Sequence, residues 1–131
     1  RRFAAERTYA HVFTSLGQLR YLSCVAQVDG VVGNSSSGLI EVPSLRKGTI
    51  NIGDRQFGRL QAASIINCEP TRVSISDALQ RLYSDDFKIS LPEVFNPYGD
   101  GGASEKIVAV LKHADLENLV RKSFHDLSVP D

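Results

Sequence analysis

Short apolar runs alternate along this chain with segments of helical spacing, and no other feature narrows the choice of fold as much. The runs DGVVG (29–33), GTINIGD (48–54) and ASIINCE (63–69) are bounded by glycine or polar residues, as expected of short buried strands. AHVFT (10–14) is a fourth strand candidate. Around them, SLGQLRYLSCVAQ (15–27) places Leu16, Leu19, Leu22 and Val25 or Ala26 on one helical face, and SGLIEVPSL (37–45) has helical spacing too. SISDALQRLYSDD (74–86) opens on serines and Asp77, good capping residues, and runs amphipathically through Ala78, Leu79 and Leu82. Residues 1–7 read as the end of a helix, 54–62 as a polar loop, 91–102 as a loop with two prolines and three glycines, and 104–124 as one or two amphipathic helices. Strands alternating with helices predict an α/β domain whose mostly parallel sheet has helices on both faces.

With 131 residues, the chain is one domain at most and long enough to bury roughly two thirds of the surface exposed by its unfolded form. Its 15 basic and 15 acidic side chains cancel, so no summed field steers it to nucleic acid or an anionic membrane. An anionic ligand must therefore be held by local dipoles and particular arginines. No apolar run approaches the ~20 residues that cross a bilayer, and the N-terminus RRFAAERTYA is charged; both favour a soluble, cytoplasmic protein. Cys24 and Cys68 lie in apolar stretches without metal-ligand spacing, so two buried thiols and no disulfide are expected. The absence of methionine suggests a portion of something longer.

The stretch VVGNSSSGLIEVPSL (31–45) raises the question of function. In parallel sheets, ligands bind beyond the carboxyl ends of the strands, where helix N-termini point outward. Asn34 can turn the chain there, and the small residues Ser35, Ser36, Ser37 and Gly38 admit a ligand to the backbone while adding hydroxyl donors. A phosphate or diphosphate suits them. Glu41 falls about one turn into the helix on the side of Ser37; it would repel phosphate, so a ribose diol is its natural partner. The same spacing also reads as an ordinary helix cap with Glu41 as a solvated acid, since neither a P-loop nor GxGxxG is present.

The block SLGQLRYLSCVAQVDGVVGNSSSGLIEVPSLRKGTINIGDRQFGRLQAASIINCEP, with NPYGDGGASEKIVAVLK later, resembles the C-terminal part of the UDP-N-acetylglucosamine 2-epimerases. The likeness runs from about His11 to Lys112 and is greatest to the hydrolysing branch, which serves sialic acid and related nonulosonic acid biosynthesis. Non-hydrolysing relatives usually carry Asp-Ser-Gly-Gly where this chain has Asn34, Ser35, Ser36 and Ser37. The resemblance implies a fold of the glycosyltransferase-B type, with two Rossmann-like domains and the nucleotide sugar between them. This chain would then be a single α/β unit, the UDP-binding part of the C-terminal domain, lacking the N-terminal catalytic domain. It implies that Ser35 and Ser36 meet the diphosphate, Glu41 the ribose hydroxyls, and Tyr21, 14 residues before Ser35, the uracil. On spacing alone Tyr21 reads first as a helix aromatic filling the core, with its hydroxyl at the surface. Arg55 and Arg59 in GDRQFGR suit phosphate oxygens or the sugar through arginine's forked donors, or else decorate a solvated loop.

The family's reaction removes the proton at sugar C2, expels UDP to leave a glycal, and adds water or UDP to the other face. That chemistry needs carboxylates beside the sugar and no cofactor or metal. The resemblance puts those carboxylates in the missing domain, so no catalytic residue is assigned in this chain. His11, His113 and His125 match no family turn and are expected to be structural or exposed, and Asp100 to be turn chemistry. The expected partner is UDP or a UDP-N-acetylhexosamine, and an open sheet edge makes a homodimer a further expectation. Two other readings remain at the sequence level. One is a non-catalytic UDP-sugar-binding or self-associating module. The other is the donor domain of a retaining glycosyltransferase, many of which carry a second Glu eight positions after the first, where Thr49 stands here.

Overall fold

The computed structural model describes residues 2–115, which fall into two compact units divided between Asp100 and Gly101. The short apolar runs of the first unit become strands β1 (Gly30–Gly33), β2 (Gly48–Ile52) and β3 (Ile65–Cys68), all parallel, in the order β1-β2-β3. The register sets Val31, Thr49 and Ile65 in one row and Val32, Ile50 and Ile66 in the next.

Because side chains alternate across a strand, those two rows face opposite sides, and each side receives its own cover. Ile50 and Ile66 pack with Ala78, Leu82 and Phe87. Of these, Ala78 and Leu82 come from α4 (Arg72–Tyr83) and Phe87 from α5 (Asp85–Ser90). On the other side Thr49 donates its hydroxyl to the Gly38 carbonyl at 2.8 Å. Gly38 belongs to α3 (Ser37–Ile40), and a 3-10 turn follows at Val42–Leu45; Leu39, Val42 and Pro43 are fully buried. The expected fold is thus found: an open parallel sheet of Rossmann-like α/β type, with helices on both faces.

Two glycines make room for the α4–α5 cover. A Cβ on Gly48 would lie 2.4 Å from Leu82 Cδ1 and 2.8 Å from Phe87 Cε1, and one on Gly30 only 3.0 Å from the Gly48 carbonyl oxygen. Leu82 and Phe87 are themselves held in the core, so neither can yield cheaply. Gly48→Ala is expected to destabilise the protein by about 1–3 kcal/mol through overpacking, read as a lower urea midpoint.

Several local expectations change. Residues 10–14 form no strand, and Val12 and Phe13 are 56% and 63% exposed: β1 leaves them unpaired, and a lone extended segment gains no ladder bonds. The predicted helix over 37–45 ends at Ile40, because Pro43 cannot donate a helical hydrogen bond and instead starts the 3-10 turn. The predicted helix over 74–86 begins earlier, at Arg72, because the Thr71 side chain accepts from the Ser74 N–H at 3.3 Å. It stops at Tyr83 because Ser84 is extended and caps α5 in turn.

In α2 (Gly17–Gln27), Val25 is buried, whereas Leu19 is 81% exposed, so only part of the predicted apolar face is covered. Cys24 on that helix is exposed, contrary to the buried thiol expected; Cys68 is half-buried. Burial, and then the adjacent Glu69 charge, push the Cys68 thiol pKa up.

The first residues contain a short helix, α1 (Arg2–Ala5). The polar stretch 54–62 is a run of turns, and 91–102 is a loop holding one 3-10 turn, Leu91–Glu93. The second unit contributes α6 (Ala103–His113). The rest of the 104–124 prediction, with His125, lies outside the described residues.

Candidate functional site

The turn between β1 and α3 is held from three sides. Gln56, in the loop after β2, donates Nε2 to the Asn34 carbonyl at 2.7 Å. Thr49 holds the Gly38 carbonyl. Asn96 donates to the Ile40 carbonyl at 2.8 Å and to Ser44 Oγ at 2.7 Å, and Arg46 bonds the Val94 carbonyl, so the 91–102 loop is clipped to the segment beyond α3. Asn34 Oδ1 also accepts from Arg55 Nη1, at 3.5 Å. Within the turn, the Gly38 N–H bonds the Ser35 carbonyl, while those of Leu39 and Ile40 bond the Ser36 carbonyl.

The turn and α2 border an open cleft of about 770 Å³, lined by Tyr21, Ser35, Ser37 and Glu41 with Phe13, Gln18 and Val31 among the others. Ser37 Oγ lies 2.9 Å from the Tyr21 hydroxyl and 2.5 Å from Glu41 Oε2. Ser37 carries a single hydroxyl proton and a carboxylate only accepts. That proton therefore goes to Glu41, and Tyr21 donates to Ser37. Tyr21, Ser37 and Glu41 are all half-buried, so this relay sits in the wall of the cleft, with the second carboxylate oxygen of Glu41 left to accept from a ligand.

Of the seven residues singled out in the sequence, four line this cleft: Tyr21, Ser35, Ser37 and Glu41. Glu41 is at the C-terminal cap of α3, not inside a longer helix, yet the spacing of four that put it beside Ser37 holds. Tyr21 is no simple core aromatic, since its hydroxyl is spent on Ser37. Ser36 sits at the N-cap of α3 without a side-chain capping bond, while Ser35 Oγ accepts from the Ser37 N–H at 3.4 Å. Arg55 is exposed and touches the turn through Asn34; exposed Arg59 makes only a backbone bond to Gln56.

Sequence reasoning missed Phe13, placed in a strand that does not form, and Gln18. It also missed Gln56, although Gln56 lies beside Arg55 in a loop already singled out.

A second depression, about 790 Å³, opens where β2 and β3 end and is lined by Asp54, Phe57, Gln61, Asn67 and Glu69 among others. It carries two acids, Asp54 and Glu69, where the first cleft carries one, Glu41. Among the described residues no helix is long and apolar enough to cross a membrane, and no group of three His, Cys, Asp or Glu side chains is placed to hold a metal ion.

The model of the family described as UDP-N-acetylglucosamine 2-epimerase matches residues 2–112. The chain belongs to that family. It is 40% identical over 119 residues to the GDP/UDP-N,N'-diacetylbacillosamine 2-epimerase (hydrolyzing) of Campylobacter jejuni, a match covering 90% of this chain and 30% of that protein. It is 38% identical to the polysialic acid biosynthesis protein P7 of Escherichia coli, covering 82% of this chain and 28% of that protein. It is 32% identical to the UDP-N,N'-diacetylbacillosamine 2-epimerase (hydrolyzing) of Legionella pneumophila, covering 83% and 28% respectively. The chain thus spans about 30% of the length of these relatives.

Proposed function

We propose that this chain is the UDP-binding portion of the C-terminal domain of a hydrolysing UDP-N-acetylhexosamine 2-epimerase. The observation that carries the reading is the Tyr21–Ser37–Glu41 relay in one cleft wall beside Ser35. An aromatic ring, one acid and small hydroxyls line the same cleft, the three kinds of group that a base, a ribose and a diphosphate would require. In this reading Ser35 and Ser36 donate to the diphosphate, Glu41 accepts from the ribose hydroxyls, and the Tyr21 ring lies against the uracil. Arg55, already at Asn34, swings its guanidinium to the phosphates as the ligand's negative charge arrives, and Arg59 follows on the same loop.

The full reaction would be elimination of UDP across C1–C2 of the sugar followed by addition of water, giving a free 2-epimeric sugar. The names of the relatives support the hydrolysing course. They also leave two substrate classes: UDP-N-acetylglucosamine, or a UDP-sugar bearing a second acetamido group at C4. The groups that abstract the C2 proton are assigned to a part of the enzyme outside the roughly 30% of the relatives' length that this chain spans. The residues present here bind and orient the leaving group, and a leaving group held tightly as it departs favours the elimination.

A calorimetric titration tests this proposal. UDP should bind saturably and more tightly than CDP, and Ser35→Ala should weaken UDP by about three- to tenfold, the worth of one hydrogen bond. Equal affinity for UDP and CDP, or no binding at millimolar UDP, would remove the reading. Release of UDP from a UDP-sugar by this chain alone would overturn the assignment of catalysis to the other domain.

A further inference from the structure

Gln56 is 3% exposed, and its side chain reaches back from the loop after β2 to one partner among the described residues, the Asn34 carbonyl, at 2.7 Å. Its own carbonyl oxygen Oε1 is buried and has no partner among the described residues. A buried amide satisfied at one end only is a poor choice for stability, since an apolar side chain of similar length would fill the same space without leaving a polar atom dry. What the amide supplies, and an apolar side chain could not, is the bond to Asn34.

Asn34 is the residue from which the chain turns out of β1 into Ser35 and Ser36. The carbonyls of the segment are held at three places by side chains from outside it: Asn34 by Gln56, Gly38 by Thr49 and Ile40 by Asn96. Thr49 and Asn96 act at and beyond α3. Of these three carbonyl restraints, that from Gln56 is the one ahead of the two serines.

We propose that Gln56 is a positioning residue: by holding the Asn34 carbonyl it sets the orientation in which Ser35 and Ser36 face the cleft. That those serines meet a diphosphate rests on the UDP reading above; the positioning of the turn does not. Exposed Arg55 bonds the side chain of the same asparagine at 3.5 Å, a longer contact in water, and is the weaker of the two restraints.

The test uses Gln56→Met, which keeps length and approximate volume while removing the donor, and Gln56→Glu, which keeps shape but turns an oxygen toward the carbonyl. The first measurement needs no ligand. Amide hydrogen exchange at Gly38, Leu39 and Ile40, whose N–H groups bond the Ser35 and Ser36 carbonyls, should accelerate about tenfold in Gln56→Met, with the β2 amides of Gly48–Ile52 unchanged. The second compares UDP with uridine, which lacks the phosphates. UDP affinity should fall about tenfold, the worth of one hydrogen bond, with uridine affinity held within about twofold, and Gln56→Glu should lose at least as much.

Unchanged exchange at residues 38–40, an equal loss for UDP and uridine, or loss of the whole fold in Gln56→Met would each overturn the proposal; the last would make Gln56 a core support. If the unsubstituted chain binds no UDP, the UDP reading fails by itself, and the exchange measurement still decides whether Gln56 positions the turn.

Discussion

Glu41→Ala is expected to weaken UDP binding by about 10- to 150-fold, the 1.5–3 kcal/mol typical of a hydrogen bond to a charged group. The carboxylate has two oxygens, and Ser37 engages Oε2, at 2.5 Å; in the proposed reading the other accepts from the ribose. Removing Glu41 also releases Ser37, whose hydroxyl is tied to both Glu41 and Tyr21, so the loss includes disorder in the cleft wall as well as one missing acceptor. Two controls separate these causes. Glu41→Gln keeps an oxygen that can accept from either partner and should lose less than Glu41→Ala. The preference for UDP over CDP should survive in both variants, because Glu41 is assigned to the sugar and not to the base. A Glu41→Ala chain that binds UDP within twofold of the parent would show that the acid is a solvated residue beside a short helix.

Ile50→Ala carries the largest expected cost in stability. Ile50 is fully buried in the middle strand, and it packs with Ile66, Ala78, Leu82 and Phe87, which come from three further elements. Truncation leaves a cavity that these neighbours, already in contact with one another, cannot close; the expected loss is about 2–5 kcal/mol. That is a large share of the roughly 5–15 kcal/mol by which folded domains are stable. Its register partner Val32, on β1, is 50% exposed, so Val32→Ala should cost well under half as much. Urea unfolding followed by far-UV circular dichroism measures both. Equal losses at the two positions would mean that the core is not centred on β2.

The site and the core meet at β2. Its row of alternating side chains sends Ile50 into the α4–α5 layer and Thr49 to the Gly38 carbonyl, so the strand that anchors the hydrophobic layer also seats the turn that carries the serines. Gln56, four residues beyond the end of the same strand, completes the seat. Damage to the core through Ile50→Ala should therefore also loosen the cleft, whereas Glu41→Ala should leave stability nearly unchanged, since Glu41 is only half-buried. With no net charge on the chain to draw an anion from a distance, affinity for a diphosphate depends on these local placements.

The pattern of residues by itself determined the class of fold. Apolar runs of four or five residues bounded by glycine or polar residues have no helical face to offer and read as strands, and the helical spacing of 37–45 between the first two sets that pair parallel; the 54–62 loop between the second and third carries no such signal. It also determined the pairing of Ser37 with Glu41, because a separation of four brings two side chains together on any helical turn, even one as short as α3. Helix ends were legible only through local rules: Pro43 stops a helix that apolar periodicity overran, and Thr71 starts one that periodicity placed too late.

Only the tertiary structure decided the rest. Whether 10–14 could be a strand depended on a partner that β1 does not provide. Whether Cys24 and Leu19 were buried depended on how much of α2 the rest of the unit covers. Gln56 reaches Asn34, and Asn96 reaches Ile40, across 22 and 56 residues. Contacts of that kind leave no periodic trace in a sequence, because nothing near either residue along the chain changes when the bond is made.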